Sequence, residues 1–187
     1  SFVNQLIDTS LSASEIADDV FITSKIESDK KTILLKPSDL FLPDRINSKG
    51  WDLNDMNDIT EINASRNVFK NHKWSVGPVI VSEVIGIEKI IIKNPANHDD
   101  IVGSVIYADK KDAINAINYA QNWNNCSQSE RSYILDKAAN LYEENFGELF
   151  SVLTREAGKT TFDAIGELRE AVDFLRFYAN QAKDYKD

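Results

Sequence analysis

The chain has 187 residues, of which 42% are hydrophobic, so it is long enough and apolar enough to build a folded core. Its 30 acidic residues outnumber the 21 lysines and arginines, and the net charge of −9 disfavours nucleic acid and anionic membrane surfaces as partners. One cysteine excludes an internal disulfide, and every apolar run is far shorter than the roughly 20 residues that span a bilayer. We therefore expect a cytoplasmic protein without a transmembrane segment. Because the chain does not begin with methionine, we also expect it to be a piece of something longer.

Residues 1 to about 70 show no sustained helical or alternating pattern. They are rich in Ser, Asp, Asn and Lys, and short apolar clusters at 33–35 and 40–42 are bracketed by Pro37 and Pro43. This composition predicts an irregular connector that lies along a partner surface, with a helix around Asp52 to Lys70.

The pattern changes at Val79, where β-branched runs begin. Residues 79–81 and 90–92 are strand-like, and they are followed by "KNPANHDDIVGSVIYA". The turn residues Asn94-Pro95-Ala96-Asn97 separate two strand-like stretches, which predicts a β-hairpin or strand pair.

From Asp109 onward the spacing of apolar residues predicts three or four helices in quick succession. The first runs through "DKKDAINAINYAQNW" to Trp123. Ser127, with Glu130 three residues later, is typical of a capping box and predicts the start of the second helix. The third runs from about Phe146 to Ala157, and the fourth from Thr161 to about Lys183.

The sequence Gly158-Lys159-Thr160 matches the end of a phosphate-binding P-loop. A P-loop also needs a glycine five positions earlier and a preceding strand, but Leu153 occupies that position in a run with helical spacing. The favoured interpretation is that the third helix ends at Gly158, a residue that tolerates the left-handed conformation after a helix. Lys159 then complements the dipole at the helix C-terminus.

The fourth helix has two apolar faces, which predicts that it is sandwiched between partners. On one side lie Phe174 and Phe177, with Gly166 allowing close approach. The opposite, core-facing stripe consists of Ile165, Leu168, Ala171, Val172, Leu175, Ala179 and Ala182.

The charges on this helix single out two unpaired carboxylates. Arg169 with Asp173, and Asp173 with Arg176, are spaced as ion pairs, whereas Glu170 and Glu167 have no such partner. Two interpretations of Glu170 stay open. It is either a solvated surface glutamate, or a carboxylate beside aromatic rings with a raised pKa and a role in proton handling.

Three other residues could carry chemistry but lack suitable neighbours. Cys126 lies in the polar run "NWNNCSQSE" without a histidine or cation beside it, which favours an inert role. His72 and His98 are far apart, and neither has a further ligand at metal spacing beyond Asp99 and Asp100. We therefore expect no metal site.

The segment from Lys93 to Ala182 resembles the start of an aldehyde dehydrogenase domain. It has the order of an asparagine-proline turn, a strand, a helix ending in tryptophan, a Glu-Arg helix and a Glu-x-Gly-Lys-Thr segment, and the runs "REAGKT" and "REAVDFLRFYA" are the most similar. Upstream, the similarity is looser from Ser12 to Ser75. There "SFVNQLIDTSL" resembles the stretch after a proline dehydrogenase barrel, and "DLFLPDRINSKGWDLND" resembles the connector between two such enzymes.

This resemblance implies an α/β fold, seen here as an incomplete N-terminal portion of the aldehyde dehydrogenase fold: an irregular connector, a β-hairpin and then three to four helices. It implies that residues 1–75 are a connector following a proline dehydrogenase barrel and that residues 76–187 are the N-terminal part of the aldehyde dehydrogenase domain. The full-length protein would oxidise proline with FAD, and then oxidise the resulting glutamate semialdehyde, formed via pyrroline-5-carboxylate, to glutamate with NAD.

The resemblance also implies where the chemistry lies. The family's nucleophilic cysteine, its base and its cofactor-binding strands are expected beyond Asp187, so this segment would hold no catalytic and no cofactor-binding residue and would be inactive alone. Its partners would be the small-molecule substrates and the rest of the same chain. Aligning on the shared Asp-Phe-x-Arg places a substrate-tunnel glutamate of the family at Glu170, which implies a substrate-binding role for that residue.

A second class of function stays open, a non-enzymatic helical interaction module or the product of a split or decayed gene. A cysteine motif and a glycine-rich strand-turn-helix in the downstream reading frame would favour the enzyme, and a stop codon would favour the alternative. In either case, apolar helix faces that lack a partner are expected to promote oligomerisation.

Overall fold

The computed structural model describes residues 7–16, 35–121 and 126–184, and the chain divides into two compact units between Lys36 and Pro37. The first unit contains helix α1, Ala13–Ile16. The second contains, in chain order, a 3-10 turn (Pro37–Asp39), helix α2 (Met56–Asn67), strands β1 (Trp74–Val76), β2 (Lys89–Asn94) and β3 (Asn97–Ile106), and helices α3 (Lys110–Asn118), α4 (Gln128–Glu144), α5 (Phe146–Arg155) and α6 (Thr161–Asp184). Among these described helices, none combines the length and apolarity needed to cross a bilayer.

The strands form one sheet in the order β1-β3-β2, with β1 parallel and β2 antiparallel to β3. Asn94 pairs with Asn97 across the turn, which confirms the predicted hairpin. The Asn94 side-chain oxygen accepts a hydrogen bond from the Ala96 amide at 2.9 Å. Such a bond mimics a backbone turn, and it explains why asparagine precedes Pro95.

The strand-like run Val79-Ile80-Val81 does not form a strand, so that part of the sequence prediction is wrong. Val79 is fully exposed, and the strand that joins the hairpin is β1, Trp74–Val76, which lies just before this run. Trp74 of β1 pairs with Gly103 of β3, where an added Cβ would lie 2.1 Å from the Trp74 carbonyl oxygen. Because the close approach at Gly103 commits this edge of β3 to residues 74–76, the β-branched run has no strand partner among the described residues.

The helix predicted around Asp52 to Lys70 is confirmed with narrower bounds, Met56–Asn67. The Asp55 side chain caps its N-terminus by accepting from the Asn57 amide at 2.8 Å. Its buried residue Ile62 joins the core, so part of the expected connector belongs to the same compact unit as the later helices. The assignment of residues 1–75 to a connector and 76–187 to a dehydrogenase domain stays a prediction.

Capping side chains start the next two helices. Asp109 caps α3 together with Asp112. The capping box of Ser127 and Glu130 at the start of α4 is confirmed. The first helix is shorter than predicted, because α3 ends at Asn118 and residues 119–121 are not helical. Trp123 itself lies outside the described residues.

The core lies where α4, α5 and α6 meet α2 and the segment before it. Trp51 packs against Phe146 and Phe150, with ring centroids 4.9 and 5.2 Å away. The predicted core-facing stripe of α6 is confirmed, because its members are buried or half-buried. The other predicted apolar face is exposed, with Phe174 at 53% and Phe177 at 44% of full exposure. The predicted second partner of α6 is therefore not among the described residues.

Candidate functional site

The turn between α5 and α6 is a helix end and not a phosphate cradle. Residues 148–153 lie in α5, so the strand that a P-loop requires is replaced by a helix. Gly158 adopts a φ of +66°, as predicted for the residue after a helix. An added Cβ there would lie 2.9 Å from Pro95 Cγ, so this glycine also brings the hairpin turn against the start of α6.

The two residues after Gly158 organise the first turns of α6. Thr160 caps the helix, since its hydroxyl accepts from the Asp163 amide at 3.1 Å and donates to the Asp163 carboxylate at 2.7 Å. The Lys159 ammonium donates to the Glu167 carboxylate, and this hydrogen bond raises the pKa of Lys159. The prediction that Glu167 is unpaired is therefore wrong, and the effect of Lys159 on the helix dipole stays a prediction.

The ion pairs predicted within α6 are also wrong. Asp173 pairs with Arg45 at 3.3 Å rather than with Arg169 or Arg176. Arg176 pairs instead with Glu143 of α4 at 2.6 Å. The reason is that Asp173 and Arg176 face other parts of the fold and not the solvent. Asp173 lies against the segment that contains Arg45, and Arg176, which is buried, lies against α4.

A cleft of 530 Å³ lies between the first half of α6 and the segment that precedes α2. Phe162 provides its most exposed aromatic side chain, and Lys159 and Arg169 provide its cations. The lining residues are Trp51, Asp52, Leu53, Asn54, Lys159, Phe162, Asp163, Ile165, Gly166, Glu167, Arg169 and Glu170. The cleft thus combines an apolar wall with charges of both signs.

Glu170 is an exposed residue of this cleft. Unlike Glu167, it makes no hydrogen bond or ion pair with any residue that the structure describes. Its carboxylate therefore remains able to accept a hydrogen bond from a bound molecule. Phe174, one turn further along α6, is exposed on the same helix but does not line the cleft.

The other residues weighed in the sequence stand apart from the cleft. His72 stacks edge-on against Trp74 with ring centroids 4.8 Å apart, and its carbonyl oxygen accepts from Arg155 at 2.8 Å. Cys126 is half-buried just before the capping residue Ser127. In the parts of the chain that the structure describes, no three His, Cys, Asp or Glu side chains are grouped to hold a metal ion.

A dinucleotide site needs a glycine-rich turn that leads from a buried strand into a helix, within a parallel strand-helix-strand unit. In the described residues β1 and β3 are parallel but are joined through β2, and the link from β3 to α3 contains no glycine. The described residues therefore contain no unit of this kind.

The sequence did not reveal the contacts that connect α6 to residues 45–51. Ser48 donates to Asp173 across 125 positions of sequence, and a short-range pattern carries no sign of such a pair. The buried state of Ser48, which is 2% exposed, is equally unexpected for a serine in a polar run.

The model of the aldehyde dehydrogenase family matches residues 83–187, which is more than half of the chain. The chain belongs to the aldehyde dehydrogenase family.

Curated relatives extend this similarity beyond the matched residues. The chain is 37% identical to the bifunctional protein PutA of Klebsiella aerogenes over 98% of its own length, and 36% identical to that of Escherichia coli K12 over the same share. It spans 15% of the length of these proteins. The 1-pyrroline-5-carboxylate dehydrogenase 1 of Halalkalibacterium halodurans is 39% identical over 56% of this chain and 21% of the relative.

Solved structures agree with the fold. The 1-pyrroline-5-carboxylate dehydrogenase from Thermus with bound NAD superposes with a TM-score of 0.67 at 25% identity, covering 75% of this chain and 28% of the other. Proline utilization A from Bdellovibrio bacteriovorus superposes with a TM-score of 0.71 at 23% identity, covering 100% of this chain and 20% of the other. The hairpin and helices described above are thus arranged as in part of an aldehyde dehydrogenase.

Proposed function

We propose that this chain forms the connector and the N-terminal part of an NAD-dependent glutamate-semialdehyde dehydrogenase domain in a proline-oxidising enzyme. Residues 1–75 then follow an FAD-dependent proline dehydrogenase barrel, and residues 76–187 begin the second enzyme. The nucleophilic cysteine and the base belong to other parts of that protein, so the 187 residues alone are inactive. The complete enzyme acts in the cytoplasm.

One observation carries the proposal. Across 98% of its length the chain is similar to a segment of PutA, and Glu170, to which the resemblance assigns a role in the substrate tunnel, lines a cleft. Because Glu170 makes no hydrogen bond or close ion pair with the described residues, and interacts with Lys159 only through its charge, it can accept a hydrogen bond from a substrate without losing one within the protein.

The role of Glu170 in this proposal is substrate binding. The reaction oxidises an aldehyde to a carboxylate, and a carboxylate side chain beside the aldehyde end can accept from O–H or N–H groups of the substrate or of water. Phe162 lines the same cleft and offers an apolar surface to the carbon chain of a bound substrate.

Two assays test the proposal on the complete gene product. Glutamate semialdehyde with NAD should yield NADH, and proline with NAD should yield NADH through both active sites in sequence. The isolated 187-residue chain should yield none. If the complete protein fails to form NADH from the semialdehyde, the proposed activity is wrong.

A substitution tests the assigned residue. Replacing Glu170 with alanine should lower kcat/KM for the semialdehyde about tenfold or more, the loss of a hydrogen bond to a charged group, and should leave proline oxidation unchanged. Glu144→Ala, an exposed glutamate at the end of α4, is the matched control and should change neither activity. Unchanged semialdehyde kinetics in the Glu170 variant would remove the substrate role.

The exposed aromatic face of α6 favours a second candidate, a helical interaction module without enzymatic activity. Phe174, Phe177 and Tyr178 present three neighbouring aromatic rings that are each about half exposed. Apolar faces of this kind bind partners or drive oligomerisation. The reading frame after Asp187 separates the candidates, because a stop codon would favour this module and a cysteine motif would favour the dehydrogenase.

A further inference from the structure

A short segment before α2 crosses the surface of α6, and we call residues 45–54 the strap. It contains polar residues that are buried, with Asn47 at 7% and Ser48 at 2% of full exposure. Burying polar groups costs free energy unless each one finds a hydrogen-bond partner. The buried polar groups of the strap therefore need hydrogen-bond partners on the surface of α6.

Asp173 of α6 provides the principal contact with the strap. Its two carboxylate oxygens accept from the Ser48 amide at 2.8 Å and from the Ser48 hydroxyl at 2.7 Å. The Arg45 guanidinium adds an ion pair at 3.3 Å. One turn earlier on α6, Arg169 donates to the Ser48 hydroxyl oxygen at 3.3 Å. Both the hydroxyl and the amide of Ser48 are thus satisfied by one helix face.

A second set of contacts attaches the strap to α4 as well. Arg176 donates to the Asn47 carbonyl oxygen at 3.2 Å and pairs with Glu143 of α4. Glu143 also accepts from the backbone amide of Lys49. Because Arg176 is 8% exposed, removing either partner would leave a charge poorly solvated, so this junction is strongly specified.

The end of the strap forms a wall of the cleft that contains Glu170. Trp51, Asp52, Leu53 and Asn54 lie on one side of it, and Glu170 lies on α6 on the other. Residues 51–54 are held on the α2 side, where Trp51 Nε1 donates to Glu61 at 3.2 Å and the Asp52 amide donates to Asp58 at 2.6 Å. On the α6 side they are held through Ser48, so this contact contributes to the width of the cleft at Glu170. Ser48, three residues before Trp51, is the last strap residue that bonds directly to α6.

We infer that the Ser48–Asp173 contact is a positioning element for the substrate site, which rests on the proposed role of Glu170. Ser48 and Asp173 do not touch the cleft themselves. Together with the contacts of Trp51 and Asp52 to α2, they hold residues 51–54 at a fixed distance from Glu170, so the cleft is preformed for a small substrate. Residues that precede the matched family segment thereby become part of its binding site.

Two buried serines allow a matched test in the complete enzyme. Ser48→Ala removes the hydroxyl that joins the strap to Asp173. Ser132→Ala removes a hydroxyl that is also 2% exposed and also bonds to α6, at the Ala179 carbonyl 2.8 Å away, but lies outside the cleft. We expect Ser48→Ala to raise KM for the semialdehyde roughly three- to tenfold, with kcat nearly unchanged. Ser132→Ala should leave KM unchanged.

Hydrogen exchange gives a readout that is independent of activity. Ser48→Ala should speed exchange of the amides from Lys49 to Asn54 and leave those of α6 protected, whereas Ser132→Ala should not affect the strap. An equal rise of KM in both serine variants would reduce Ser48 to a general stabilising residue. Faster exchange in the strap with unchanged KM would overturn the positioning role.

The Glu170→Ala enzyme, measured in parallel, separates this inference from the proposed function. If Glu170→Ala impairs semialdehyde oxidation and Ser48→Ala does not, the inference fails and the proposed function stands. If Glu170→Ala has normal kinetics, the substrate role is wrong and Ser48 does not position a substrate residue. The exchange data still show in that case whether Ser48 holds the strap.

Discussion

Arg155, the last residue of α5, donates two hydrogen bonds to the Asp100 carboxylate of β3, at 2.7 and 3.1 Å. The same guanidinium donates to the carbonyl oxygens of Phe69 and His72 and lies 5.3 Å from the centre of the Trp74 ring. One side chain therefore joins the sheet, α5 and the end of α2. The side-chain hydrogen bonds from Arg155 and, to a smaller extent, from Asn94 lower the pKa of Asp100 from 3.8 to about 2.

This pair predicts a specific loss of stability in acid. Because the folded pKa of Asp100 is lower than its unfolded value, its contribution is complete above pH 3.8 and is lost as the pH falls through about 2. Arg155→Met should lower the stability at pH 7 and flatten its dependence between pH 5 and pH 2. Urea unfolding followed by circular dichroism across this range measures both effects. Lys137→Met, which removes an exposed cation from α4, should keep the wild-type slope.

Gly158 and Gly166 are predicted to respond in opposite directions to the same substitution. Gly158→Ala places a Cβ in a left-handed conformation and against Pro95, and should cost about 1–2 kcal/mol or more. Gly166→Ala lies inside α6 with no atom within 4 Å of the new Cβ, and should stabilise by up to about 1 kcal/mol. Thermal unfolding of both variants checks the signs. A stable Gly158→Ala variant would contradict the described turn.

Asp112 is predicted to hold the loop before β2 against α3. Its carboxylate accepts from the amides of Ile85, Gly86 and Asp109 at 2.7 to 2.9 Å, and these bonds, led by that of Ile85, lower its pKa. Asp112→Asn replaces an acceptor with a donor that faces these N–H groups, so the melting temperature should fall. The difference from wild type should shrink in acid, once the carboxyl is protonated. Asp136→Asn on α4 should melt like the wild type.

A truncation tests which residues the fold of the second unit needs. A chain that begins at Pro37 should unfold cooperatively, since it keeps Trp51 and Ile62 in the core. A chain that begins at Val76 loses both and exposes Phe150, a change comparable to a large-to-small substitution in a core. It should bind a hydrophobic dye and lose its near-ultraviolet dichroism. Cooperative unfolding of the shorter chain would show that the dehydrogenase part folds without the strap.

Local patterns in the sequence were sufficient where a short stretch decides its own structure. The Asn94 turn, the Ser127–Glu130 capping box and the conformation of Gly158 each depend on a few neighbouring residues, and each was confirmed. The two faces of α6 followed from its periodicity, although what covers the outer face did not. The cleft around Glu170 could not be predicted, because its second wall comes from more than 100 residues earlier.

The predictions of ion pairs within α6 and of a strand at 79–81 failed because residues distant in sequence formed the contacts instead. Spacing assigned Asp173 to Arg169 or Arg176, but the backbone amide of Ser48 offers a half-buried bond that a solvated neighbour cannot match. Similarly, β-branched residues at 79–81 favoured a strand, but the paired edge was already occupied by residues 74–76. In both cases tertiary contacts outweighed a local preference of a few tenths of a kcal/mol.

Because α6 starts directly after the turn at Gly158, a small rotation at this turn would displace the rest of the helix in proportion to the distance from it. The helix rises about 1.5 Å per residue, so a tilt of about 5° at this turn would move Glu170 by roughly 1 Å and the far end of the helix by about 3 Å. Pro95 limits the rotation from the sheet side, and the bond from Ser48 restrains the helix one turn beyond Glu170. These two contacts act in addition to the buried residues Ile165, Leu168 and Val172, so the position of one carboxylate depends on residues that do not touch it.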